Sequence, residues 1–372
     1  MNEMTQKQTF CDNYQKLFNM DCPHMDAVEY FFRLLPLSGL ELIKLGMLQR
    51  LLEKKNLHKF RLLGIYHIIA IDGVCISSYY YLPYSGCPKT NTDTWQVKVV
   101  EAKLVYSSGF SISVASEFVT NVDGDSKQDC EQKAALRLCK RIKKMFPCLP
   151  ICITADGLYT SENIFQLCKQ YNWKFIITHK DSCLETVWQE VRVGVLLQYK
   201  NKKTEQICNQ HKWKLSQWKF VTNISYHKKF KLNWIECFQS LYNKKTRKEQ
   251  KNRFVHITNI DVTLKNVIEI SNGGRLRWNI ENQGFNDQKN HGYNLEHKFS
   301  RHNLNATQNY YQCLQIAHAI VQLCIKAKAV KAFKGKVTEK NLWLDMLALL
   351  LQVEICHKEI LDVLCIKCQF RY

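Results

Sequence analysis

The chain has 372 residues, 46% hydrophobic and 12% aromatic, with 53 Lys and Arg against 33 Asp and Glu, a formal net charge of +20. That apolar content supports a packed interior and argues against a disordered chain, while the lack of any run of about 18 apolar residues argues against a membrane span. The charge excess points to a polyanionic partner, because each phosphate neutralised releases condensed counterions.

Seventeen cysteines are an odd number, and the opening MNEMTQKQTF has no apolar core of a secretion signal. Reduced cytoplasmic thiols acting as small hydrophobes are therefore expected rather than a disulfide scaffold. Cys356-His357 with Cys365-x-x-Cys368, and Cys11 with Cys22 and His24, have zinc-like spacing but fall short of two well-formed half-sites.

In chain order, residues 26–58 read as helical, with Leu40, Ile43, Leu48, Leu51 and Leu52 recurring every three or four positions. HIIAIDG is a short apolar strand ending at Asp72-Gly73, and ISSYYYLPY, WQVKVVEAKLVY and SISVASEFV are further strands. NVDGDSKQDCE lacks the glycine of a calcium loop and reads as an acidic turn, with Ser126 or Asp125 capping the helix that continues to KKMF. LPICITADG repeats the strand-Asp-Gly pattern at Asp156-Gly157, followed by a helix in SENIFQLCKQYN and a strand in WKFIITHK. This alternation predicts a mixed sheet flanked by helices.

Residues 200–253 differ in character, with fifteen Lys and Arg against three acids and eight interleaved aromatics, among them Trp213, Trp218, Trp234 and Phe238. Two uses of those aromatics stay open: stacking on unpaired bases, or forming a small core beneath a basic face. RFVHITNI returns as a core strand, a short helix from about Thr263 stops at Gly273-Gly274, and residues 275–297 form a second helix. In that helix Trp278, Ile280 and Phe285 imply burial of Glu281. TQNYYQCLQIAHAIVQLC predicts a core helix presenting Tyr310, Leu314, Ala317, Ile320 and Cys324, and the last stretch is helical.

Asp72 and Asp156, each following an apolar strand, suit a hard cation if the strands are neighbours, because such ions take oxygen ligands. An Asp-Gly pair also serves as an ordinary turn. Glu281 adds a third carboxylate, with Arg277 one helical turn before it, placed either for an i,i+4 ion pair or for a phosphate. His291, Glu296 and His297 are further candidates for the same site, or for contacts to phosphate.

These elements resemble the DDE transposases of bacterial insertion sequences, on IIAIDG, CITADG, KQDCEQKAALR and FVHITNI followed by GRLRWNIENQGFNDQKNHGYNLEH. The resemblance covers about residues 60–325, with intervals of 84 (156 − 72) and 125 (281 − 156) between the acids. It implies an α/β, ribonuclease-H-like mixed sheet flanked by helices, with a β-rich insertion before the last catalytic helix. The implied domains are an N-terminal helical region (1–60), the first part of the catalytic core (61–199), the basic insertion (200–253), the second part of the core (254–325) and a helical tail (326–372).

The implied catalytic and metal-binding residues are Asp72, Asp156 and Glu281, holding two Mg²⁺ ions or Mn²⁺ in their place. DNA contacts fall to Arg275, Arg277 and Lys289. The implied activity is cleavage at element ends and strand transfer into a target, with double-stranded DNA as partner, a homodimer formed on DNA, and no membrane. A bacterial cytoplasmic location, at the nucleoid when bound, goes with it. The branch with this insertion carries a Tyr-x2-Arg-x3-Glu-x6-Lys signature. Here Gly274 stands at the tyrosine position and Lys289 falls one residue late, a slip that rotates a side chain by about 100° on a straight helix. A catalytically inactive DNA-binding derivative and another nuclease of the same fold are the competing classes, and short inverted repeats flanking the gene would favour the transposase.

Overall fold

In the computed structural model, which describes residues 4–90, 92–120, 131–209 and 211–365, nine strands form one sheet in the order β3-β2-β1-β4-β5-β9-β8-β7-β6. The chain divides into two compact units, one from Met1–Asn56, Ile76–Gln96 and Phe285–Tyr372, the other from Leu57–Cys75 and Val97–Gly284. The sheet is built mainly from the second.

Its first five strands are β1 (His67–Tyr79), β2 (Trp95–Val105), β3 (Ser111–Phe118), β4 (Ile151–Ala155) and β5 (Lys174–Thr178). β2 and β3 are antiparallel, whereas β1, β4 and β5 run parallel. Parallel strands are covered on both faces, which is why Ile68–Ile71 and Ile151–Ala155 are unbroken buried runs. This order and mixture of directions is the ribonuclease-H-like core.

The basic segment supplies β6 (Lys202–Cys208), β7 (Lys212–Tyr226) and β8 (Phe230–Asn243), and an antiparallel meander leads to β9 (Lys248–Thr258). β9 then pairs with β5 at Ile176–Thr258 and Ile177–Ile257, so these strands continue the core sheet. Trp218, Phe220, Tyr226, Phe230 and Trp234 are buried and Phe238 is exposed, so most of the aromatics serve as core. Strand alternation sends them to the packed face and leaves lysines such as Lys202, Lys212 and Lys231 in water.

Flanking helices of this unit are α4 (Glu131–Met145), α5 (Glu162–Tyr171), α6 (Glu185–Leu197) and α7 (Val267–Arg275). α4 buries Ala134, Leu138 and Ile142, and α5 stacks Phe165 on Phe175 of β5 at 4.9 Å. α7 runs through Gly273 and Gly274 instead of stopping there. A Cβ on Gly274 would lie 2.6 Å from the His256 ring and 2.7 Å from Ile176, so the glycine serves close helix-to-sheet approach. Thr154 Oγ1 of β4 donates to the Gly274 carbonyl at 3.2 Å across the same contact. The proposed cap at Asp125 or Ser126 lies outside the described residues.

The other unit is helical: α1 (Gln8–Phe18), α2 (Met25–Leu34), α3 (Leu37–Glu53) and, beyond the short α8 (Trp278–Ile280) of the sheet unit, α9 (Asn286–Asn290), α10 (Leu304–Lys326), α11 (Lys328–Lys334), α12 (Glu339–Gln352) and α13 (His357–Cys365). The expected single helical run over 26–58 breaks at Leu35-Pro36, since proline disfavours helix in the residue before it. The stripe expected on α10 is also displaced. Ala317 and Ile320 are exposed, while Asn309, Gln312, Gln315, His318 and Gln322 are buried. These side chains find partners: Asn309 Nδ2 donates to the carbonyls of Phe32 and Leu35 at 2.9 and 2.8 Å, and Lys44 Nζ donates to Gln312 Oε1 at 2.7 Å. No described helix is long and apolar enough to cross a membrane.

Candidate active site

Asp72 does not end its strand. β1 continues through Gly73 to Tyr79, absorbing the segment expected to be a separate strand. Gly73 permits this because the Glu131 carboxylate occupies the place of a side chain, with Oε2 2.6 Å from where a Cβ would sit. Asp156 does begin a turn. Its Oδ1 accepts from the Leu158 amide at 2.6 Å and caps a 3₁₀ turn over Gly157–Tyr159.

The parallel register aligns Ala70 with Thr154 and Ile71 with Ala155, so Asp72 and Asp156 are the next residues on adjacent strands. Their carboxylates are matched by different cations. Lys180, two residues past the end of β5, donates from Nζ to Asp156 Oδ2 at 2.8 Å. That bond is the main cause of the upward shift of the lysine pKa. Arg277 Nη1 reaches Asp72 Oδ2 at 3.2 Å and Glu281 Oε1 at 2.5 Å.

Arg277 is the buried member of that trio, its side chain 11% exposed against 42% for Glu281. The expected burial of Glu281 fails, and Trp278 is 51% exposed. Trp278 and Glu281, three residues apart, share the more exposed side of α8, while Ile280 and Phe285 are buried as expected; from Glu281 the chain enters a π-helical turn over Glu281–Phe285 before α9, so α-helical phases counted past it do not hold. Such one-residue expansions recur at functional positions. The straight-helix premise behind the rotation of Lys289 fails with it.

Burial pushes the Asp72 pKa upward, and Glu281 adds to this by repulsion and by hydrogen bonding, against the pull of Arg277. Arg277 Nε is buried with no hydrogen-bond partner among the described residues, leaving a donor in reserve.

Arg275 stacks its guanidinium over the Phe254 ring of β9 at 4.1 Å, so it is a packing residue as well as a charge. Lys289 belongs to the helical unit, where it pairs with Glu296 at 2.7 Å. His291 groups there with Asp287 and Glu339, whose ligand atoms lie within 4.8 Å of one another. Lys326 shares the neighbourhood of both those acids, which compensates them as an ion-pair cluster does. Among the described residues that is the one group of three close enough for a common ion, so Asp72, Asp156 and Glu281 do not converge on one point. Cys11, Cys22 and His24 form no such group, and Cys368 lies outside the described residues.

Sequence reasoning missed Lys180, Glu131 and Tyr159. Lys180 alone had a signal, since it follows the third parallel strand near the edge that carries Asp72 and Asp156.

The fold is an α/β domain with Asp72 and Asp156 side by side just past the last paired residues of two parallel strands. Residues 111–320 match a family described as the transposase DDE domain, and the chain belongs to that family. The match includes Asp156 and Glu281 and begins after Asp72. Among solved structures, the chain is similar to that of a piggyBac transposase synaptic complex with hairpin DNA, at 9% identity and a TM-score of 0.37, covering 82% of this chain and 55% of that one. The chain therefore spans little more than half the length of that protein. No curated protein matches it.

Proposed function

We propose that the protein is a DNA transposase whose Asp72, Asp156 and Glu281 hold divalent metal, Mg²⁺ or Mn²⁺, for cleavage of element ends and joining to a target. The observation that carries this reading is the register of β1 and β4, which sets Asp72 beside Asp156, with Glu281 tied to Asp72 through Arg277. Carboxylate oxygens are the donors that hard cations take. Bound there, a pair of such ions would supply an activated hydroxyl and stabilise the leaving oxygen.

The side chains have distinct tasks. Asp72 and Asp156 hold fixed positions because their strands are buried and hydrogen-bonded on both sides. Arg277, paired with both Asp72 and Glu281, would be free to turn toward a phosphate if a metal ion were held between those acids. Lys180 would be freed from Asp156 in the same way. The lysines of β6, β7 and β8 give the duplex a positive face, and a homodimer is the assembly that joins two ends.

The test is Mg²⁺-dependent nicking of a labelled duplex carrying an element end. Glu281→Gln should keep duplex binding and lose cleavage by about 10³-fold or more, because the site loses a carboxylate that would hold the metal. A wild-type protein that binds the duplex and never cleaves in Mg²⁺ or Mn²⁺ would favour the inactive DNA-binding derivative. Cleavage of any duplex, with no joining, would favour a nuclease.

A further inference from the structure

Two side chains outside the Asp72, Asp156 and Glu281 set stand against the same acids. Glu131 is the first described residue of α4, and its Oε2 and Oε1 lie 2.6 and 3.0 Å from where a Cβ on Gly73, the neighbour of Asp72, would be. Tyr159 closes the 3₁₀ turn that Asp156 caps. Tyr159 is 1% exposed, and its hydroxyl has no hydrogen-bond partner of ordinary geometry among the described residues.

After burial, the Glu131, Asp72 and Asp156 carboxylates are the charges that raise the Tyr159 pKa, with the approach to Glu131 adding to the effect. A glutamate in the first turn of a helix is unremarkable alone, since it complements the helix dipole. A buried phenol left short of an acceptor is different: such groups are rare in folded proteins and each calls for a reason. Here Glu131 acts on the hydroxyl through both charge and hydrogen bonding, and the same carboxylate stands against Gly73 on the strand bearing Asp72.

We propose that Glu131 is a fourth oxygen ligand of the divalent-metal site and that Tyr159 is the positioning residue that orients its carboxylate. The assignment rests on the reading of Asp72, Asp156 and Glu281 as metal ligands. One Glu131 oxygen accepts from the Tyr159 hydroxyl and the other faces the metal, the arrangement by which ligating carboxylates are held in place. The four acids then outnumber Arg277 and Lys180, the cations paired with them, as a site for a doubly charged ion requires.

The experiment is titration of the full chain with Mn²⁺, followed by the electron paramagnetic resonance of the free ion, alongside thermal unfolding with and without Mg²⁺. All proteins carry His291→Ala, which removes the Asp287, His291 and Glu339 group from the count. Glu131→Gln and Tyr159→Phe should each weaken Mn²⁺ binding by about tenfold or more. Their metal-free melting temperatures should match or exceed the parent, and the rise produced by Mg²⁺ should shrink.

Glu131→Asp, which keeps the charge and withdraws the oxygens, should fall between, and it carries the test if the glutamine variant does not fold. Unchanged Mn²⁺ affinity in folded Glu131 variants, with a lowered metal-free melting temperature, would assign Glu131 to helix structure and overturn the proposal. Asp156→Asn separates the two readings. If it loses Mn²⁺ while Glu131→Gln keeps it, only the Glu131 and Tyr159 assignment fails, whereas Mn²⁺ binding unchanged in both removes the metal site itself.

Discussion

The sheet unit and the helical unit bury polar groups in opposite ways. In the sheet unit, the parallel strands β1, β4 and β5 are almost wholly apolar inside, and charge gathers at the edge with Asp72, Asp156, Arg277, Glu281 and Lys180. Glu101 and Lys103 of β2 are exceptions, fully buried, with Ser113 donating to Glu101. In the helical unit, α10 instead buries a row of neutral amides, and Gln288 donates to Gln315 at 2.8 Å. Neutral amides that pair with one another and with backbone carbonyls complete a core, even with Asn309 Oδ1 and Gln312 Nε2 left without partners among the described residues, while crowded carboxylates on rigid strands keep a net charge that a ligand can answer.

The largest effect expected is on the sheet side. Gly274→Tyr should abolish cooperative unfolding, because even a Cβ collides with His256 and Ile176. Gly274→Ala should cost about 1–3 kcal/mol, the usual range for overpacking. Denaturant unfolding measures both. A stable, cooperative Gly274→Tyr protein would show that α7 does not need its close approach.

On the helical side, Lys44→Met strands Gln312 Oε1 in a buried place and should cost about 1–3 kcal/mol. Adding Gln312→Leu should recover most of that loss, since replacing both partners by apolar groups is close to neutral. A double mutant as unstable as the single would mean that the amide row is held by more than paired satisfaction, which would blur the contrast between the units.

Much of the sheet was readable because buried parallel strands are short, continuous apolar runs, as in IIAI before Asp72 and ICITA before Asp156. The reading failed where contacts between distant residues decide the outcome. Gly73 and Gly274 looked like stops, but each is a point of close approach, to Glu131 and to the His256 ring. Trp278 looked buried because it is apolar, like Ile280 and Phe285, yet it stands 51% exposed on α8 while those two are buried. α10 misled for a different reason: its inward face is marked by amides, and a stripe chosen by hydrophobicity selects the wrong side. Of the candidate site, Asp72, Asp156, Glu281 and Arg277 could be picked out as candidates, from the strand-Asp-Gly repeat, the i,i+4 spacing and the family resemblance. Lys180, Glu131 and Tyr159 come from separate elements, and no local spacing links them.

A smaller effect concerns pH. His67 and His256 are buried in the sheet unit, and desolvation lowers each pKa from 6.5 to about 4. Between those values the unfolded chain binds protons that the folded chain refuses. Stability from these two groups is therefore full above pH 6.5 and falls as pH drops toward 4, by at most about 1.4 kcal/mol per pH unit for each proton. Urea unfolding at pH 7 and pH 5 should show the loss, and His256→Gln should remove part of the slope. A flat profile would mean that the sheet interior tolerates an imidazolium.

The most direct measurement is crystallographic: the anomalous signal of Mn²⁺ in crystals of the full chain. The account predicts manganese between the carboxylates of Asp72 and Asp156, with Arg277 and Lys180 drawn away from them and Glu281 turned toward the ion. Manganese found only at Asp287, His291 and Glu339, with the Lys180–Asp156 and Arg277–Asp72 pairs intact at millimolar metal, would contradict it.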